Sequence, residues 1–87
     1  MAKQQKILDV NEGRMHLICI KHFDRSDYNP YRVYAVISIP GAPVRKRQLV
    51  KYGDFVSVLC FIKDFYLNGL DSMPVCDIIQ YIKERSI

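Results

Sequence analysis

YRVYAVISIPGAPVRKRQLVKYGDFVSVLCFIKDFYLNG, residues 31–69, changes its hydrophobic period part-way along, and that change decides the fold class. In residues 31–39, Val33, Ala35, Ile37 and Ile39 recur at every second position opposite Arg32, Tyr34, Val36 and Ser38, the pattern of a half-buried strand. From Asp54 onward, Phe55, Val58, Leu59, Ile62, Phe65 and Tyr66 follow the helical spacing instead. Asp54 is placed to cap that helix. Asn68-Gly69 is placed to end it, since glycine takes up the left-handed conformation without a Cβ penalty.

Between the two patterns Pro40-Gly41-Ala42-Pro43 reads as a turn. Residues 44–52 read as a returning antiparallel strand, more polar than its neighbour and so nearer a sheet edge. Two registers are open to it. With Leu49 inward, Arg45, Arg47 and Lys51 share its side; with Val44, Val50 and Tyr52 inward, Lys46 and Gln48 do. Upstream, residues 15–23 hold strand formers, residues 24–30 hold turn formers, and residues 6–10 form a short first strand ended by Asn11-Glu12-Gly13. Downstream, Pro74 opens a second, shorter helix, with Asp71 or Ser72 as cap and Val75, Ile78, Ile79 and Ile82 as its apolar stripe. Strands first and helices last predict an α+β domain: a three- to four-stranded antiparallel sheet followed by two C-terminal helices packed on one face.

Nothing in the 87 residues divides them: there is no internal repeat and no linker rich in Gly, Ser or Pro. Residues 1–87 are therefore expected as a single domain with a disordered N-terminus over 1–5. A hydrophobic share of 49% and a charged share of 25% exclude a disordered or fibrous class. Residues 1–6 are polar, without the apolar stretch of a secretory signal, and no apolar run reaches bilayer-spanning length. A cytoplasmic protein with no membrane partner is the expectation. Cys19, Cys60 and Cys76 lie far apart in apolar stretches and read as buried thiols, not as a disulfide framework.

No catalytic constellation is legible. His16 and His22 sit at an even separation on one strand, and six residues of strand span about 20 Å, too far for one metal. The cysteines sit among Ile, Leu, Val and Phe, where a thiol is packing and not a nucleophile. No glycine-rich phosphate loop or nucleophile elbow occurs. The expectation is a non-catalytic protein with no metal and no cofactor.

Binding is a different matter. Residues 1–52 carry ten Lys or Arg against four acids, and residues 53–87 three against five, so the N-terminal part holds the positive field. Its densest point is Arg45-Lys46-Arg47, extended by Gln48 and Lys51 and preceded across the hairpin by Arg32 and Tyr34. Guanidinium and ammonium groups neutralise phosphates and release counterions, and a ribbon of two or three strands fits the DNA major groove. Tyr28, Tyr31, Tyr34 and Tyr52 are candidate rings for stacking on exposed bases, which would suit RNA or single strands. The plainer reading of the same basic residues is a solvated edge strand kept from aggregating by its charge.

Tyr31-Arg32-Val33-Tyr34-Ala35-Val36, a Pro-Gly turn, Arg45-Lys46-Arg47-Gln48-Leu49 and a helix from near Asp54 together resemble the arm-type DNA-binding domains of tyrosine integrases. The likeness covers about residues 15–68 and leaves the helix after Pro74 outside it. It implies a three-stranded sheet backed by one helix, with the exposed sheet face reading the groove. Carried over, Arg32 and Tyr34 on one strand and Arg45, Lys46 and Arg47 on the next become contact residues. A freestanding copy would be an accessory protein of a bacterial mobile element.

The first helix carries more apolar residues than one core stripe needs: Val56, Cys60, Phe61 and Leu67 extend around it. Either the second helix and a loop cover them, or Val56, Cys60 and Phe61 form a partner surface, a homodimer included. The sequence therefore supports a small binding protein for DNA or RNA acting through Arg32, Tyr34, Arg45, Lys46, Arg47 and Lys51. The alternative is an inhibitor or adaptor, encoded by a phage or mobile element, that meets an acidic protein.

Overall fold

The computed structural model describes residues 4–11, 15–23 and 28–85. Four strands, β1 (Gln4–Val10), β2 (His16–His22), β3 (Tyr31–Ile37) and β4 (Arg45–Tyr52), pair antiparallel in chain order. They are followed by α1 (Phe55–Leu67), a 3-10 turn over Leu70–Ser72, and α2 (Val75–Arg85). This is the expected α+β class. Gln4 and Gln5 belong to β1, opposite His22 and Lys21, and so are not part of a disordered N-terminus. Glu12 and Gly13 of the expected turn after β1, and residues 24–27 of the turn after β2, lie outside the described residues.

Strand alternation puts one face of the sheet under both helices. Leu17 and Cys19 of β2 and Val33 and Ala35 of β3 form a buried cluster with Val58, Ile62 and Phe65 of α1, Leu70, and Ile78 of α2. A short axis of 21 Å fits one sheet and one helix layer about 10 Å apart. Aromatic rings bind the layers. Tyr31 packs on Phe55, Tyr52 on Phe61, and Phe61 on Phe65, with centroids 5.9, 6.2 and 5.9 Å apart. The Tyr66 hydroxyl donates to the Met15 carbonyl at 2.7 Å and approaches that of Val10 at 3.3 Å, tying the β1–β2 hairpin to α1.

Both edge strands carry a bulge. In β4, Val33 faces Val50 and Tyr34 faces Gln48, so Leu49 is an extra residue without an opposite number. The two sequence registers were each half of the answer. Leu49, Val50 and Tyr52 all pack toward the core, which a strict period of two forbids. The same happens in β1, where Ile7 is extra between Lys6, opposite Ile20, and Leu8, opposite Cys19. Each bulge delivers one more apolar side chain to the helix side and turns the polar residues beyond it to the other face.

Asp54 caps α1: its carboxylate accepts from the Ser57 N–H at 3.2 Å and from the Ser57 hydroxyl at 2.7 Å. At the other end Gly69 stands at φ 69°, the left-handed conformation expected of it. Gly53, just before the cap, is needed for close approach, since a Cβ there would lie 3.0 Å from the Tyr28 carbonyl oxygen. The start of α2 differs from expectation. Asp71 and Ser72 lie within the 3-10 turn, Ser72 donates back to Gly69, and the Pro74 carbonyl accepts from the N–H groups of Asp77 and Ile78.

Two of the three thiols are also placed differently. Cys19 is fully buried, but Cys60 and Cys76 are exposed. The side of α1 that meets the sheet is Val58, Ile62 and Phe65, which leaves Cys60 facing away with Val56 and Leu67. Cys76 falls outside the Val75, Ile78 and Ile82 stripe of α2, against the carboxylate of Asp77. Leu59, expected in the core stripe, is exposed as well. Among the described residues no helix is long and apolar enough to cross a membrane.

Candidate nucleic-acid interface

The face of the sheet away from the helices is built from rows of paired residues. One row runs Lys6, Ile20, Arg32, Lys51 across all four strands. The next runs Asp9, Ile18, Tyr34, Gln48, and a third joins His16, Val36 and Lys46. Ile18 and Ile20 are only 6% and 7% exposed although, among the described residues, the helices pack on the other side. Their cross-strand partners are Lys6 and Arg32 for Ile20 and Asp9 and Tyr34 for Ile18, and long polar side chains beside apolar residues can lay their stems along them.

Tyr34 lies at the middle of this face. Its hydroxyl is 3.3 Å from Nε2 of His22, and the Lys46 ammonium stands over its ring, 5.6 Å from the centroid. At the β1 side Asp9 accepts from the Lys6 ammonium at 2.9 Å and also contacts the His16 ring. The Lys6 hydrogen bond, with His16 second, holds the Asp9 carboxyl below its ordinary value.

The register divides the sequence candidates. Arg32, Tyr34, Lys46 and Lys51 share the open face. Arg45 and Arg47 stand opposite Ile37 and Ala35, on the helix side of the sheet, and so do not join them. The stacking rings are divided too: Tyr31 and Tyr52 are engaged with Phe55 and Phe61 on the helix side, which leaves Tyr34 on the open face and Tyr28 exposed nearby in sequence. Lys6 belongs to the site although its residue pattern did not announce it. Lys6 and Asp9 are three positions apart, an odd spacing, and only the bulge at Ile7 puts both on one side.

No protein-family model, curated protein or solved structure matches the chain. The site is therefore interpreted on its own chemistry. His16 and His22 lie at opposite ends of β2, and among the described residues no three His, Cys, Asp or Glu side chains converge as a metal would require. Of the alternative partner residues, Val56 and Cys60 are exposed, while Phe61 is half-buried against Tyr52 and Phe65.

Proposed function

We propose that the open sheet face binds nucleic acid, with duplex DNA favoured, and that Lys6, Arg32, Lys46 and Lys51 meet phosphates around Tyr34. The observation that carries this reading is a face, free of helix among the described residues, that brings four cations from three strands together. Among the described residues of its rows, Asp9 is the single carboxylate, and Lys6 and His16 already engage it. Strands β2 to β4 span roughly 10 Å between outer backbones, within the ~12 Å width of the major groove, which leaves Lys6 on β1 to meet the phosphates flanking the groove. Tyr34 and Gln48, paired across β3 and β4, are the central polar groups able to meet base edges, and a glutamine amide matches the N6/N7 edge of adenine.

Two considerations favour duplex over single strand. A stacking platform needs several free rings, and the open face offers Tyr34 alone among the strand tyrosines, since Tyr31 and Tyr52 serve the core. The second consideration is the resemblance of residues 15–68 in sequence to integrase arm-type domains, on which the protein would be an accessory DNA-binding factor of a mobile element. The test is binding of fluorescent duplex and single-stranded oligonucleotides over a salt series. The expected result is a duplex preference with a log–log salt slope of about −3 to −4 for four phosphate contacts. A preference for single strands would overturn the duplex assignment, and absence of binding at low salt would overturn the whole reading.

A further inference from the structure

β4 is an edge strand, so among the described residues no strand pairs with the backbone groups along its outer side. Its residues Arg45, Lys46, Arg47 and Lys51 supply four cations in eight positions. Beside its C-terminal half lies a cleft of about 520 Å³ between β4 and the two helices. Leu49, Val50, Phe61, Phe65 and Ile82 give it apolar walls, and Lys51 and Arg85 stand at its margin with a single carboxylate, Asp64. Arg85 is held there by stacking on Tyr81, 4.3 Å from the ring centroid.

From this arrangement we infer that the outer edge of β4 captures an extended acidic segment of a partner protein by adding it as a fifth strand. The occupant follows from charge and register. A second copy is disfavoured, because antiparallel self-pairing about the middle of β4 sets Lys46 against Lys51 twice. The other edge, β1, lacks this bias, since it carries one cation, Lys6, and one carboxylate, Asp9. An incoming antiparallel strand has its N-terminal half beside the cleft and its C-terminal half beside Arg45–Arg47. On the helix side it then presents apolar residues opposite Tyr52 and Val50 and carboxylates opposite Arg47 and Arg45. On the open side it presents carboxylates opposite Lys51 and Lys46. Backbone bonds supply part of the affinity, and the alternating pockets supply the selection. The site shares Lys46 and Lys51 with the open face, but its strand edge and helix-side arginines are not used by the nucleic-acid reading, so it stands or falls separately from that reading.

The register writes the probe: fluorescein-labelled Phe-Glu-Leu-Thr-Glu-Glu-Glu, flanked by Gly-Ser at each end, followed by fluorescence anisotropy with the full chain. Saturable binding is expected, weakened about tenfold or more by Arg45→Glu/Arg47→Glu in a variant whose circular dichroism matches the wild type. Methylating alternate backbone nitrogens of the probe should abolish binding in one phase and spare it in the other, because only one set of N–H groups faces β4. Equal binding by a probe with every Glu replaced by Lys, or indifference to both methylation phases, would overturn the strand-addition proposal. So would absence of binding by the acidic probe. Should the double arginine variant lose duplex DNA instead of peptide, those arginines would belong to a nucleic-acid surface and the proposal would likewise fail.

Discussion

Tyr66 shows how one hydroxyl holds two parts of the chain together. Its bond to the Met15 carbonyl joins α1 to a hairpin more than fifty positions away in sequence. Tyr66→Phe leaves that half-buried carbonyl without its donor and should cost about 1–2 kcal/mol in urea unfolding, with the slope of the transition unchanged. The thiols allow a second check. Burial pushes the Cys19 thiol above its ordinary value, which leaves it less thiolate and out of reach, whereas Cys60 and Cys76 face solvent. A thiol reagent should modify two cysteines in the native protein and the third only in denaturant. Modification of Cys19 at a rate matching the other two would contradict the core described above. The apolar neighbours of Cys60 made it look buried in the sequence, but neighbours in sequence are not neighbours on a helix. Val56 and Cys60 share a side with each other and not with Val58 and Ile62.

Periodicity identified the strands and helices but could not assign every face. β3 kept its period of two and was legible throughout its buried part, and α1 was bounded correctly by Asp54 and Asn68-Gly69. The edge strands were not legible, because Ile7 and Leu49 interrupt their alternation, and a bulge leaves no mark in a hydrophobic pattern beyond an apolar residue out of phase. That single feature decides the candidate site: it sends Lys46 and Lys51 to the open face with Arg32 and Tyr34, and Arg45 and Arg47 to the other side. The β1–β2 hairpin carries its own pH signature. The Asp9 carboxyl is depressed by Lys6 and His16, so its contribution is present above the unfolded-state value and is lost as pH falls through the folded-state value. Asp9→Asn should therefore lower the melting temperature slightly at pH 7 and show a smaller further loss between pH 5 and pH 2 than the wild type does, on the scale set by ordinary carboxylate titration near pH 4. An identical acid profile in the two proteins would remove Asp9 from the hairpin's stability.

At the scale of the whole molecule, the sheet has one face under the helices and one that no described helix covers, and the positive charge of β4 is sorted between them by strand register. The open face gathers Lys6, Arg32, Lys46 and Lys51, while Arg45 and Arg47 turn toward the helix side and the cleft lies beyond them along β4. On the proposed function the two faces of the basic strand do different work, with Lys46 and Lys51 meeting DNA and Arg45 and Arg47 not. Duplex DNA affinity across a salt series, for Lys46→Ala/Lys51→Ala beside Arg45→Ala/Arg47→Ala, measures this directly. The face assignment requires the lysine pair to lose affinity and about 2 units of log–log salt slope, with the arginine pair close to wild type. Equal losses in both variants, or a loss confined to the arginine pair, would contradict it.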